Sequence, residues 1–91
     1  MSRFSPGELY MTAGVAALAE EAGVAAWLRE CIRRHLASDW GDVDRSDWQA
    51  NEDALTAGER LFSVYRKEPL TIYVITEYDR SATTLLLSSE Y

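Results

Sequence analysis

The sequence predicts an α+β fold in which N-terminal helices pack on one face of a three-stranded antiparallel β-meander. Two observations support this prediction. Through the first half of the chain, apolar residues recur at intervals of three and four, the period of an amphipathic helix. After Gly58 come three short runs of β-branched, aromatic and leucine residues, separated by turn-forming residues, which is typical of strands. A chain of 91 residues, 47% of them hydrophobic, is expected to fold as a single domain spanning residues 1–91.

The N-terminal residues admit two interpretations. Ser5-Pro6-Gly7-Glu8 has the form of a capping box with proline at the first helical position, whereas Leu9-Tyr10-Met11 has the composition of a strand. We expect a turn followed by a short extra N-terminal strand. Thr12 is then placed to cap a first helix that runs to Glu21, and Gly23 is placed to end it in the left-handed conformation.

Two further helices are predicted before Gly58. The second spans Val24–Ala37 and has one apolar stripe. That stripe consists of Trp27, Leu28, Cys31, Ile32 and Leu36. After turn-forming residues, Ser46-Asp47-Trp48-Gln49 predicts a capping box for a third helix that ends at Gly58, with Trp48 as its buried anchor.

The strand runs define the meander. They are Leu61–Arg66, Leu70–Glu77 and Thr83–Ser88. In the middle strand Ile72 and Val74 alternate with Tyr73 and Ile75, so both faces of the sheet carry apolar groups. We expect the helices to cover one face and to leave the other open, around Tyr65, Tyr73 and Ile75, as a possible interface.

Negative charge is concentrated in the centre of the chain, in what we call the acidic segment, Ser38–Glu59. Its acids are Asp39, Asp42, Asp44, Asp47, Glu52, Asp53 and Glu59. Its only base is Arg45, so this segment accounts for the whole net charge of −6, while the residues before and after it are balanced. A field confined to one patch steers positively charged partners and repels nucleic acid.

The charge and composition also limit the partners and the location. A net charge of −6 argues against direct binding to nucleic acid or to an anionic membrane, so basic or nucleic-acid-binding proteins are the expected partners. No apolar run approaches the ~20 residues that cross a bilayer, and the N-terminus lacks the pattern of a signal peptide. The single cysteine, Cys31, fits a reducing cytoplasm. Monomer and homodimer both remain open.

The acidic segment supports a hypothesis of partner binding. We expect the contacts to come from Asp39, Trp40, Asp42, Asp44, Asp47, Glu52 and Asp53. The carboxylates would imitate phosphate charge inside a basic channel, with Trp40 as an aromatic anchor. Even as one helix, the segment would present about one net charge per 5 Å, against one per ~1.7 Å in duplex DNA, so it could copy only a short backbone track. The alternative is a solvated helix face whose first-turn carboxylates, such as Asp47, complement the helix dipole.

Three side-chain groups suggest catalysis, and each has a simpler structural explanation. Cys31 and His35 have the spacing of a thiolate and its base on one helix, and His35 is similarly spaced from Asp39. A buried cysteine and a helix-terminal histidine explain both pairs. The acids and Arg80 in Glu77–Arg80 are typical of a tight turn. No metal-ligand spacing, phosphate loop or nucleophile elbow occurs, so we expect no enzyme activity, no metal and no cofactor.

Three stretches of the chain resemble a known family. They are Asp39-Trp40-Gly41-Asp42, Asn51-Glu52-Asp53-Ala54-Leu55 and the run from Ile75 to Thr84. Its members are small uncharacterised proteobacterial proteins often carried on plasmids and other mobile elements, and the resemblance covers most of the chain. They usually have proline where this chain has Ala13 and Ser88, and a small residue in place of Tyr78. The resemblance implies mobile-element biology, in which small acidic proteins act as anti-CRISPR or anti-restriction inhibitors.

Two functional hypotheses follow. The leading one is a small acidic, non-enzymatic binding protein that inhibits a nucleic-acid-binding complex of host defence through its acidic surface. The alternative is a self-associating accessory or structural protein of a mobile element that uses the open sheet face.

Overall fold

The computed structural model describes residues 2–91, and the order of its elements confirms the α+β class. The elements are β1 (Glu8–Met11), α1 (Ala13–Leu18), α2 (Ala22–Leu36), α3 (Arg45–Ala57), β2 (Leu61–Lys67), β3 (Leu70–Thr76), β4 (Ala82–Leu87) and a terminal 3-10 turn (Ser88–Glu90). The short N-terminal strand is present as β1. The bounds of β2, β3 and β4 lie within one residue of those predicted.

The sheet is four-stranded and mixed, with the strand order β1-β4-β3-β2. Strands β2, β3 and β4 pair antiparallel, whereas β1 pairs parallel to β4. The prediction of a three-stranded antiparallel sheet is therefore wrong. The parallel pair is closed by Glu8 N–H donating to the Ser81 carbonyl and Thr12 N–H donating to the Leu85 carbonyl, both at 3.0 Å. These contacts join distant parts of the chain, so a local pattern of residue types does not reveal them.

Helix α1 starts at the predicted cap but ends earlier than predicted. The Thr12 hydroxyl caps α1 by accepting from Val15 N–H, as predicted. Gly23 does not end this helix: α1 stops at Leu18, and Gly23 lies in the first turn of α2. The extended backbone of Glu21 makes the break, so no left-handed residue is needed.

Helix α3 starts one residue before the predicted capping box. Asp44 is its N-cap, and its carboxylate accepts from Asp47 N–H at 2.8 Å and from the Ser46 hydroxyl at 3.1 Å. The predicted Ser46 cap is therefore wrong, because an aspartate two residues earlier takes that role. The helix ends as predicted at Gly58, whose φ of 71° is left-handed.

Two hydrophobic clusters hold the helices on one face of the sheet. The larger cluster consists of Val15, Leu28, Cys31, Tyr65, Ile72, Val74 and Leu85. The smaller consists of Trp40, Ala54 and Leu61, with Phe4, Val43 and Leu55 packed against it. α2 supplies Leu28 and Cys31 to the larger cluster, and α3 supplies Ala54 to the smaller one.

The prediction of one open sheet face around Tyr65, Tyr73 and Ile75 is wrong, because these three residues lie on different faces of the sheet. Tyr65 pairs with Ile72 in the register of β2 and β3, and it is fully buried on the helix-covered face. Tyr73 and Ile75 point the other way because side chains alternate along a strand. There, the C-terminal Tyr91 packs edge-on against Tyr73 with ring centroids 5.5 Å apart, and Ile75 is also buried.

Candidate binding surface

The start of the acidic segment lies along the outer edge of β2. Gly41 bridges to Val64 in parallel. Val64 N–H donates to the Trp40 carbonyl at 3.1 Å, and Asp42 N–H donates to the Val64 carbonyl at 2.6 Å. Gly41 has a φ of 79°, and a Cβ there would lie 2.0 Å from the Val64 carbonyl oxygen. Only glycine therefore permits this approach.

Side chains complete the protection of the same edge. Asn51 of α3 donates to the Phe62 carbonyl at 2.8 Å and accepts from Phe62 N–H at 3.0 Å, as a paired strand would. Asp42 accepts from Arg66 N–H at 2.9 Å. The edge-facing N–H groups of three alternate residues, Phe62, Val64 and Arg66, are thus bound within the chain. An edge satisfied in this way does not recruit another strand.

We expect Asn51→Ala to lower the free energy of unfolding by about 2–3 kcal/mol, because it leaves a carbonyl and an N–H of Phe62 without partners in a partly buried site. Urea unfolding followed by circular dichroism measures this. Gln49→Ala is the control on the same helix, since the Gln49 amide contacts only the exposed Asp53 carboxylate. Equal, small losses in both variants would contradict the role given to Asn51.

Two of the predicted binding carboxylates are neutralised by arginines. Asp39 receives two hydrogen bonds from the Arg34 guanidinium, at 2.7 and 3.2 Å, and Gly41 N–H donates to it at 3.2 Å. The hydrogen bond from Arg34 is the largest cause of the lowered pKa of Asp39. Glu52 accepts from the Trp40 indole N–H at 2.9 Å and lies 3.6 Å from Arg3. Both acids hold the loop and helix in place and add little to the outward field.

The two tryptophans exchange their predicted roles. Trp40, expected as the partner anchor, is fully buried between Phe4 and His35, at centroid distances of 6.3 and 5.6 Å. Trp48, expected as the buried anchor of α3, is 37% exposed. The buried face of α3 is formed instead by Asn51 and Ala54, one turn further along. Trp40 is therefore unavailable to a partner, and Trp48 is the exposed aromatic.

The carboxylates of α3 do not form one continuous patch. At about 100° per residue, Asp47, Glu52 and Asp53 point in three directions about 100–140° apart around the helix axis. Asp53 points to the side opposite the core and accepts from the Gln49 amide at 3.0 Å. Asp44 and Asp47 lie together in the first turn. Within residues 2–91, neither has an arginine or lysine within 4.0 Å.

What the fold does bring together is a smaller surface at the start of α3, which we call the α3 entry surface and define as Val43, Asp44, Asp47 and Trp48. A shallow depression of about 410 Å³ is lined by Val43, Asp44, Arg45, Trp48 and Gln49. Val43 and Asp47 line an adjacent groove of about 430 Å³, which continues to Tyr91. An apolar centre, an exposed indole and two carboxylates that form no ion pair within 4.0 Å thus share one corner of the molecule, beside Arg45.

The proposed catalytic pairs are not assembled. The Cys31 thiol is buried, and burial raises its pKa to about 12. Both ring nitrogens of His35 are occupied, Nδ1 by the Ser63 hydroxyl at 2.6 Å and Nε2 by the Thr76 hydroxyl at 2.8 Å. His35 therefore hydrogen-bonds to neither Cys31 nor Asp39, and the buried ring has a structural role.

The turn at Glu77–Arg80 is also structural. The Arg80 guanidinium donates to the main-chain carbonyls of Ala54 at 3.1 Å and Glu59 at 2.6 Å, so it joins the end of α3 to the β3–β4 turn. Asp79 accepts from Ser81 N–H at 3.0 Å within the turn. A guanidinium bound to carbonyls in this way is not free to act on a substrate.

Sequence reasoning missed the main-chain contacts of Asn51 and Arg80 and the place of Val43 in this region. Asn51 and Arg80 act through main-chain carbonyls of other elements, a role that a one-dimensional pattern does not show. Val43 had a detectable signal, since it is the one apolar residue between Gly41 and the α3 cap.

Neither a metal site nor a membrane span is found in the part of the chain that the structure describes. No group of three or more histidine, cysteine or acidic side chains in residues 2–91 is arranged to hold a metal ion. In the same residues, no helix combines the length and the hydropathy that spanning a membrane requires. Comparisons with protein-family models, curated protein sequences and solved structures gave no match.

Proposed function

We propose that this protein is a non-enzymatic binding protein that inhibits a nucleic-acid-binding complex of host defence, of the anti-CRISPR or anti-restriction type. Its partner would be a basic or nucleic-acid-binding protein in the cytoplasm, and it would bind neither nucleic acid nor membranes directly. The observation that supports this is the α3 entry surface, where Trp48 is exposed beside two carboxylates that have no arginine or lysine within 4.0 Å in residues 2–91.

The chemistry of this surface favours a basic protein partner. A tryptophan supplies a large contact area at low cost in side-chain entropy, and it is enriched among residues that dominate binding energy. Asp44 and Asp47 would pair with lysine or arginine around it, which favours charge-guided association. Asp44 also caps the helix, so Asp47 and Trp48 are the residues to vary.

The test is a plasmid transformation assay in bacteria that carry an active CRISPR or restriction system directed at the plasmid. We expect the protein to raise transformation of the targeted plasmid, and Asp47→Asn/Trp48→Ala to abolish that rise. The control is Glu20→Gln/Tyr78→Ala, which removes one exposed carboxylate and one exposed ring elsewhere on the protein and should leave inhibition intact.

Circular dichroism spectra and unfolding midpoints of both double variants verify that they fold. Two results would contradict the proposal. One is an unchanged transformation rate across the defence systems tested. The other is full inhibition by the folded Asp47→Asn/Trp48→Ala variant.

A further inference from the structure

The two edges of the sheet differ in a way that the proposed function does not explain. The β2 edge is closed by the chain itself, through the loop around Gly41 and the Asn51 amide. The β1 strand forms the opposite edge. Its apolar side chains are about half exposed, at 51% for Leu9, 55% for Tyr10 and 50% for Met11.

The main chain of β1 is unpaired on its outer side. Glu8 and Thr12 donate inward to β4, so in this parallel ladder the even-numbered residues bond to β4. The N–H and C=O groups of Leu9 and Met11 therefore point outward. Within residues 2–91, no hydrogen bond to those groups is found outside the β-ladder. An edge with free main-chain groups and apolar side chains is a template for another strand.

Few charges surround this edge. Residues Leu9–Ala19, which include α1 and all of β1 except Glu8, contain no charged side chain, in a protein of net charge −6. Two acids lie beside them: Glu8, and Glu90, whose carboxylate accepts from the Thr12 hydroxyl and from Gly14 N–H. A basic partner would be attracted to the α3 entry surface and not here. The β1 edge carries fewer acids than the β2 edge, so two copies of an acidic chain meet here with less repulsion than there.

We propose that β1 pairs antiparallel with β1 of a second copy across a twofold axis, joining the two sheets into one of eight strands. The register that uses the outward groups of both Leu9 and Met11 in both copies pairs these two residues with each other. Leu9 exchanges two main-chain hydrogen bonds with Met11 of the second copy, and Met11 does the same with Leu9 of that copy. Tyr10 then faces Tyr10 of the second copy at the axis, as a pair without mutual hydrogen bonds.

This register places Glu8, the one acid of β1, opposite Thr12 of the second copy, whose hydroxyl donates to Glu90 of that copy. Both carboxylates are exposed, so solvent screens their repulsion. The two β2 edges, where the acidic segments lie, are separated by seven strand spacings, about 33 Å. That distance exceeds the Debye length of about 8 Å at physiological salt, so the acidic segments repel each other little.

The first test is the mass in solution, by sedimentation equilibrium over a range of concentrations. We expect the parent to reach twice its monomer mass as concentration rises, because the interface is small and reversible. Leu9→Lys/Met11→Lys should remain monomeric, since charges on an edge strand prevent pairing. Tyr78→Lys/Thr56→Lys adds the same charge at exposed positions away from β1 and should dimerise like the parent. A parent that is monomeric at every concentration overturns the proposal.

The second test is the register, by oxidative cross-linking of single-cysteine substitutions. Tyr10→Cys should form a disulfide between copies, because facing residues of this kind of pair have Cα atoms about 4.5 Å apart, within the range that disulfides bridge. Leu9→Cys should not form one. In this register residue 9 faces Met11 of the second copy, so the two introduced cysteines lie at different positions along the paired strands. The parent is the blank, since Cys31 is buried. Absence of cross-linking at Tyr10→Cys, or equal cross-linking at both positions, overturns the register.

Discussion

Trp40→Ala is expected to lower the free energy of unfolding by about 3–5 kcal/mol, the range found when a buried tryptophan is truncated. The indole is fully buried, stacks on Phe4, packs edge-to-face against His35, and donates to Glu52 at 2.9 Å. A loss of this size is a large part of the about 5–15 kcal/mol that stabilises a typical domain. Urea unfolding followed by circular dichroism measures it.

The control for this prediction is Trp48→Ala, which removes the same side chain from a partly exposed position and should cost less than about 1.5 kcal/mol. Trp40→Phe should fall between the two, because it keeps an aromatic ring against Phe4 and loses the hydrogen bond to Glu52. If Trp48→Ala destabilised the protein as much as Trp40→Ala, the assignment of Trp40 to the core would be refuted.

Because His35 is protonated in the unfolded chain before it is protonated in the fold, the free energy of unfolding is expected to fall by about 3 kcal/mol as the pH falls from about 6.5 to about 4. Burial lowers the pKa of His35 to about 4, and the nearby positive charge of Arg80 adds to this. In that window the unfolded chain binds a proton that the folded protein does not, so the stabilisation is complete above pH 6.5 and is lost on acidification.

The hydrogen bonds around His35 explain why it stays neutral. Thr83 donates its hydroxyl proton to the Pro6 carbonyl at 2.8 Å, so the Thr76 hydroxyl must donate to Thr83 at 2.7 Å. Thr76 then accepts from His35 Nε2–H, and the Ser63 hydroxyl donates to Nδ1. This assigns the Nε2–H tautomer, whose two nitrogens are both satisfied without a second proton.

The pH dependence is measured from urea unfolding at a series of pH values, with His35→Gln as the comparison. The variant should be less stable at pH 7 but should lose little between pH 6.5 and pH 4.5. Carboxylates with a lowered pKa, such as Asp39 and Asp44, stabilise the fold while they are ionised. Their protonation removes this stabilisation at lower pH still. A parent profile as flat as that of His35→Gln across this window would show that His35 is not the group responsible.

The strands and most helix ends could be predicted because local chemistry determines them. Alternating β-branched and aromatic residues defined β2, β3 and β4 to within a residue, and Gly58 ended α3 through its left-handed backbone. The parallel pairing of β1 could not be predicted, since it depends on hydrogen bonds between Glu8 and Ser81 across most of the chain.

The binding residues were harder to predict because a sequence does not show which way a charged side chain points in the fold. Asp39 and Glu52 belong to the same acidic segment as Asp47, yet arginines from outside the segment hold both. Trp40 follows Asp39 directly and still lies in the core, because its main chain pairs with Val64 and turns the indole inward. Only the fold separates the acids that build the loop from those that face solvent.

The central claim is that the α3 entry surface, and not the exposed acids elsewhere on the same helix, binds the partner, and Asp47→Asn compared with Asp53→Asn tests it most directly. Both variants remove one negative charge from an exposed carboxylate of the same helix, but Asp47 belongs to the α3 entry surface and Asp53 points to the side opposite the core. The measurement is the affinity for the basic protein that the parent captures from bacterial lysate, titrated against salt concentration. We predict that Asp47→Asn weakens binding and reduces the salt dependence, while Asp53→Asn matches the parent. Equal effects of both substitutions, or an affinity that does not change with salt, would contradict the account.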